Sequence, residues 1–119
     1  MPLQTYKELK VWRKAIDLVE QVYLLTKGFP QEERFSLVSQ MRRAAVSVPA
    51  NIAEGYGRTH RGDYLRHLSV SRGSLLELET HLVIAARLGF VAEEHVTGLE
   101  QNVQEVDRML YGLIESLSQ

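Results

Sequence analysis

Apolar positions return every three or four residues through four stretches of this chain, the period of a helix with one buried face. No useful stretch alternates with the period of two that a half-buried strand requires. The first helix carries two such rows. One is Leu9, Trp12, Ile16, Val19 and Tyr23, and the other is Val11, Ala15, Leu18, Val22 and Leu25. Together they make an apolar face wider than a simple surface helix needs. One row belongs in a core and the other is available to a neighbouring molecule, and the pattern leaves open which is which. A charge at Val11 or Leu18 is one substitution expected to turn an assembly into monomers.

The remaining stripes are single. The second helix runs through Leu37, Met41, Ala44, Ala45, Val48, Ile52 and Tyr56. The third runs through Tyr64, Leu68, Ser71, Leu75, Leu78, Leu82 and Ala85. The fourth is the cleanest, with Ala92, Val96, Leu99, Val103, Val106, Leu110, Leu113 and Leu117 in a seven-residue repeat of the kind bundle cores use. Punctuation agrees with this division. Thr5 and Glu8 have the spacing of a capping box, and Gly28 can take the left-handed conformation that ends a helix. Pro30 suits the first position of the next helix. Pro49 lies inside the second stripe, whose phase continues beyond it, so a kinked but continuous helix is expected. Gly55, Gly57 and Gly62 bracket a turn, and Gly89 closes the third helix. These signals predict one all-α domain over residues 1–119, an antiparallel up-down-up-down four-helix bundle with helices near 6–27, 31–57, 61–88 and 92–117.

Composition narrows the class. With 45% hydrophobic and 24% charged residues in 119, the chain reads as one ordinary globular domain. No apolar run approaches the ~20 residues of a membrane span, and the start of the chain lacks the apolar centre of a secretory signal. The absence of cysteine fits a reducing cytoplasm. The formal net charge of −1 conceals an uneven distribution. Residues 34–72 carry seven arginines against Glu54 and Asp63, a net of +5, whereas residues 73–119 carry a net of −6. Such asymmetry marks either a nucleic-acid surface or complementary faces within an oligomer.

A second row on the second helix is polar: Gln40, Arg43, Ser47, Asn51, Glu54 and Arg58, at steps of three and four. It lies about 100° from the apolar row, at the border of the core, where buried polar groups need partners. Arg72, Ser74, Glu77 and Glu79 on the third helix are candidates, and Gly73 and Ser74 are small enough for a close approach. Two readings stand: a structural network that fixes helix register or a subunit interface, or the wall of a ligand or RNA groove. Beside it, Arg58, Arg61 and Arg66 with Tyr64 form a candidate nucleic-acid surface, arginine for phosphate and tyrosine for stacking.

At these residues the sequence resembles the bacterial four-helix bundle proteins encoded in intervening sequences of 23S rRNA genes, the S23 ribosomal protein-like family. The likeness rests on LKVWRKAIDLV (9–19), FPQEERFSLVSQMRRAAVSVPANIAEGYGR (29–58) and LSVSRGSLLELETHL (68–82). It falls on Trp12, Phe29, Pro30, Leu37, Gln40, Arg43, Ser47, Pro49, Asn51, Glu54, Gly55, Arg58, Gly73, Ser74 and Glu77. The resemblance implies a cytosolic bacterial protein forming a ring-like homo-oligomer, a pentamer, with rRNA or another nucleic acid as the suspected partner. A similar bundle is the accessory protein of diversity-generating retroelements.

Other chemistry finds little support. No Glu-x-x-His motif of a di-iron bundle occurs. Asp63 with His67, and Glu77 with His81, are one turn apart and could each grip a metal, but the four histidines form no recognisable ligand set. Gly55-Tyr56-Gly57 lacks both the third glycine and the preceding strand of a phosphate loop, and no Ser-His-Asp arrangement is evident. No enzymatic activity, cofactor, metal or membrane association is expected. A small-molecule or metal-binding bundle built on Glu77, His81 and the polar row is the alternative, as is a purely structural assembly protein.

Overall fold

The computed structural model describes residues 5–119. Four helices carry the fold: α1 (Lys10–Thr26), α2 (Leu37–Tyr56), α3 (Arg61–Arg87) and α4 (Glu93–Ser118). There are no strands among the described residues, and the architecture is an all-α four-helix bundle. α1 packs on α2 and α4, and α3 packs on the same two helices. The diagonals, α1 with α3 and α2 with α4, do not touch at backbone level. Between α2 and α3, rising numbers meet falling ones: Ser47 bonds Ser74, Val48 bonds Ser71 and Asn51 bonds His67. Those two helices therefore run in opposite directions.

The core is where the stripes place it. Met41, Val48 and Ile52 of α2, Leu68, Leu75, Leu78 and Leu82 of α3, and Val103, Val106 and Leu110 of α4 are buried. Each large apolar side chain so buried contributes about 1.5–3 kcal/mol. α1 resolves its ambiguity in favour of Val11, Ala15, Leu18 and Val22. Leu9, Trp12, Ile16 and Val19 are only half-buried and Tyr23 is exposed. A charge at Val11 or Leu18 would thus break the core rather than report on an assembly. The reason lies in the flanks of the helix. Lys14 pairs with Glu105 of α4 at 3.3 Å, and Gln21 accepts from Asn102 of α4 at 2.9 Å. On the other side Tyr23 stacks on Arg42 of α2. The row midway between these flanks points inward.

Three helix boundaries differ from expectation. Thr5 caps a 3-10 turn over Tyr6–Glu8, accepting from the Lys7 amide at 3.4 Å, and α1 starts only after the extended Leu9. Gly28 does not turn left-handed, because α1 ends in tight i to i−3 bonds from Gly28 to Leu25 and from Phe29 to Thr26. Residues 31–36 do not join α2. Gln31–Glu33 form a 3-10 turn, and the chain breaks at Ser36, whose hydroxyl donates to Glu33 at 2.9 Å. No residue from 31 to 36 is buried, so packing does not support a helix there.

Two further signals are met, whereas Gly62, placed in the turn, lies inside the first turn of α3. α2 is continuous across Pro49. Gly89 (φ 76°) ends α3 in a Schellman arrangement, with Phe90 N–H on Ala85 O and Gly89 N–H on Ala86 O. Phe90 then packs on Phe29, ring centres 5.8 Å apart.

Candidate functional site

The polar row of α2 meets α3 along its middle, and there its hydrogen bonds close on themselves. Ser74 Oγ donates to Ser47 Oγ at 2.8 Å. Asn51 Nδ2 donates to Ser47 O at 2.9 Å and to Ser47 Oγ at 3.1 Å. A backbone carbonyl can only accept, so Asn51 must turn its amide nitrogen toward it. Its Oδ1 then faces His67 Nδ1 at 3.0 Å, which makes that nitrogen the protonated one. Glu54 Oε2 stands 3.9 Å from the same nitrogen, too far for a hydrogen bond. One turn deeper, Ser71 Oγ donates to Val48 O at 2.9 Å. Ser47, Asn51, Ser71, Ser74 and His67 thus form a seam of hydrogen bonds made within the chain.

This seam exists because α2 and α3 approach closely at Gly55. A β-carbon added there would lie 2.8 Å from His67 Cβ, 2.9 Å from Tyr64 Cδ1 and 3.3 Å from Tyr64 O. Gly73, expected to allow the approach, faces open space instead. The contact is made further along, and Ser74 alone of that small pair takes part.

The other candidates are dispersed. Gln40, Arg43 and Arg58 are exposed, and Arg43 reaches only Ser39 at 3.4 Å. Arg72 turns to α4, gripping Asp107 at 2.7 and 3.2 Å and lying 5.3 Å from the Tyr111 ring centre. That hydrogen bond to Asp107 is the main reason its guanidinium holds its proton above the ordinary arginine value. Glu77 is exposed, 3.7 Å from His81 Nε2. Glu79 is half-buried. His81 is itself buried, and its Nδ1 has no hydrogen-bond partner.

The arginine and tyrosine surface is split in the same way. Arg58 and Arg61 are exposed, and Arg61 reaches the Gln119 carbonyl at 3.3 Å. Arg66 pairs with Asp63 at 3.4 Å. Tyr64 is half-buried against Gly55 and meets Tyr56 edge-on at 6.2 Å. Burial, then the neighbouring Tyr56, pushes its hydroxyl above the ordinary phenol range. Among the described residues no group of three or more His, Cys, Asp or Glu side chains could hold a metal ion. Asp63 and His67 each turn to other partners. No helix among the described residues is long and apolar enough to cross a membrane.

Sequence periodicity missed His67 as the seam's partner. Opposed numbering was the available signal: if residue 47 meets 74, residue 51 lies opposite 67–70. Also missed was Arg42, which donates from Nε to Thr26 Oγ1 at 2.9 Å across α1 and α2.

Among solved structures, the chain is similar to a protein of unknown function from the S23 ribosomal protein family of Bacteroides thetaiotaomicron. The TM-score is 0.82 at 23% identity, covering 88% of this chain and 95% of that one, a likeness of fold. Among curated proteins none matches. No enzymatic family is indicated. The family model of the 23S rRNA-intervening sequence protein matches residues 7–112, nearly the whole bundle, and the chain belongs to that family.

Proposed function

We propose that this chain is a non-enzymatic, cytoplasmic, up-down-up-down bundle that assembles with copies of itself and serves as a scaffold for RNA. One observation carries the reading. Of the seven arginines in the +5 segment, Arg34, Arg42, Arg43, Arg58 and Arg61 have no side-chain carboxylate within 4 Å among the described residues, although α4 carries a surplus of acids. Cations left unneutralised on a surface are what a phosphate backbone requires. Membership of a family described by its link to 23S rRNA intervening sequences favours RNA as the polyanion. A ring of five, implied by the family resemblance, would repeat each weak patch and raise avidity without new contacts. Exposed apolar residues such as Leu76, Val83 and Ile84 on α3 are suited to contacts between copies.

The test is fluorescence anisotropy with structured rRNA fragments across a salt series, with the assembly's mass measured by light scattering. Affinity falling steeply with salt supports the reading. No salt-dependent binding at micromolar protein refutes it.

Glu77 Oε2, 3.7 Å from His81 Nε2, favours one other reading, a metal held between them with a ligand from another copy. A melting temperature unchanged by added Zn²⁺ or Fe²⁺ would eliminate that reading.

A further inference from the structure

We propose that the groove between the end of α1 and the start of α2 binds single-stranded RNA, taking bases on Phe35 and Tyr23 and phosphates on Lys27, Arg34, Arg42 and Arg43. This rests on the RNA reading above and locates it away from the Arg58–Arg66 surface.

The groove has two lobes of about 370 and 440 Å³ that share Arg34, Val38 and Arg42 as their common wall. No carboxylate lines either lobe. The nearest acids along the chain, Glu32 and Glu33, line neither lobe, and Glu33 accepts from the Ser36 hydroxyl at 2.9 Å. None of the four cations lies within 4 Å of a carboxylate among the described residues.

Two of the cations are set beside aromatic rings. Arg34 lies 5.8 Å from the Phe35 ring centre and Arg42 lies 4.4 Å from that of Tyr23. Arg42 is also fixed from below. Its Nε donates to the hydroxyl of Thr26, which is 3% exposed and itself donates to Val22 O at 2.8 Å. With that oxygen giving and receiving, the guanidinium is anchored through Nε while it lies over the Tyr23 ring and lines both lobes.

Phe35 is 89% exposed and packs on nothing in the core. A water-exposed aromatic ring flanked by unneutralised guanidinium groups suits a chain of alternating phosphates and planar bases. A partner that is purely apolar would instead bury four unpaired charges at heavy cost.

The test uses the full chain and a labelled oligouridine of about ten nucleotides, with an RNA duplex beside it. Phe35→Ala should weaken oligouridine binding about tenfold, the effect of one lost stacked base. Arg34→Glu with Arg43→Glu should weaken it further and reduce the salt slope by about 1.4, two phosphate contacts on a single strand. All three positions are exposed, and circular dichroism checks that the variants fold. Arg58→Glu with Arg61→Glu, outside the groove, should weaken binding less than the groove changes do, and the exposed pair Arg87→Glu with Arg108→Glu should bind within about threefold of the parent.

Three results would overturn the proposal. Binding abolished by the Arg58 and Arg61 changes but untouched by the groove changes would place the RNA elsewhere and leave the RNA reading intact. A Phe35→Ala protein that loses assembly mass while keeping its RNA affinity would make the groove a contact between copies. Failure of the parent protein to bind either RNA would end the RNA reading itself, and this site with it.

Discussion

α2 presents polar residues on two sides, and they meet opposite fates. Toward α3, Ser47 and Asn51 are enclosed by Ser74 and His67, and the Ser74 hydroxyl, the Asn51 amide and the His67 Nδ1 each meet an acceptor inside the chain. Toward α1 and the preceding turn, Arg34, Arg42 and Arg43 stand without a carboxylate, beside exposed rings. A satisfied polar network has little left to offer a ligand and fixes the register of the helices that make it. An unsatisfied charged surface contributes little to the fold and much to recognition. The middle of the row that looks most functional in the sequence, Ser47 and Asn51, is therefore closed within the chain, and the proposed RNA surface lies toward α1, with Arg43 of that row at its edge.

Four substitutions test that division, compared at one protein concentration because assembly shifts apparent stability. Gly55→Ala should act most strongly. Its new methyl meets the His67 β-carbon and the Tyr64 backbone, neither of which can swing aside, and overpacking of this kind costs about 1–3 kcal/mol in urea unfolding. A neutral result would mean that α3 is free to shift. Asn51→Ala follows, at about 1–2 kcal/mol, because His67 loses its acceptor while 14% exposed. Loss of RNA binding without loss of stability in this variant would make the seam a ligand site after all.

Gly73→Ala should move the other way. The position is helical, exposed and unobstructed, so the gain in helix propensity should stabilise by up to about 1 kcal/mol. Destabilisation would indicate that something outside this chain approaches the α3 backbone there. Phe35→Ser should change stability least, within about 0.5 kcal/mol, as for other exposed sites away from packing. A larger loss would show Phe35 to be part of the fold.

Much of this was legible in the sequence, and what was not has physical causes. Four apolar stripes specify four helices because burial, not local propensity, supports most helices in a protein. The Pro30 signal misled for the same reason: residues 31–36 bury nothing, so a good start site was not followed by a helix. Two apolar rows on α1 could not be ranked, since the choice depends on where Glu105, Asn102 and Arg42 sit on other helices. Periodicity aligned Gln40 through Arg58 but could not say how far α3 would cover them, and it covers only the middle. His67 was masked by Asp63 one turn away, a local pairing that the fold does not use. The groove was invisible because Tyr23, Arg34, Phe35 and Arg42 belong to three different segments and share no period.

Photo-crosslinking is the most direct probe of the open flank. An oligonucleotide carrying 4-thiouridine, bound to the full chain and irradiated, leaves adducts that peptide mass spectrometry assigns. Adducts concentrated within residues 23–43, on Tyr23 and Phe35 above all, are the expected result. Adducts confined to residues 56–66, or spread along the Ser47–Asn51 seam, would contradict the division of α2 into a closed structural side and an open binding side.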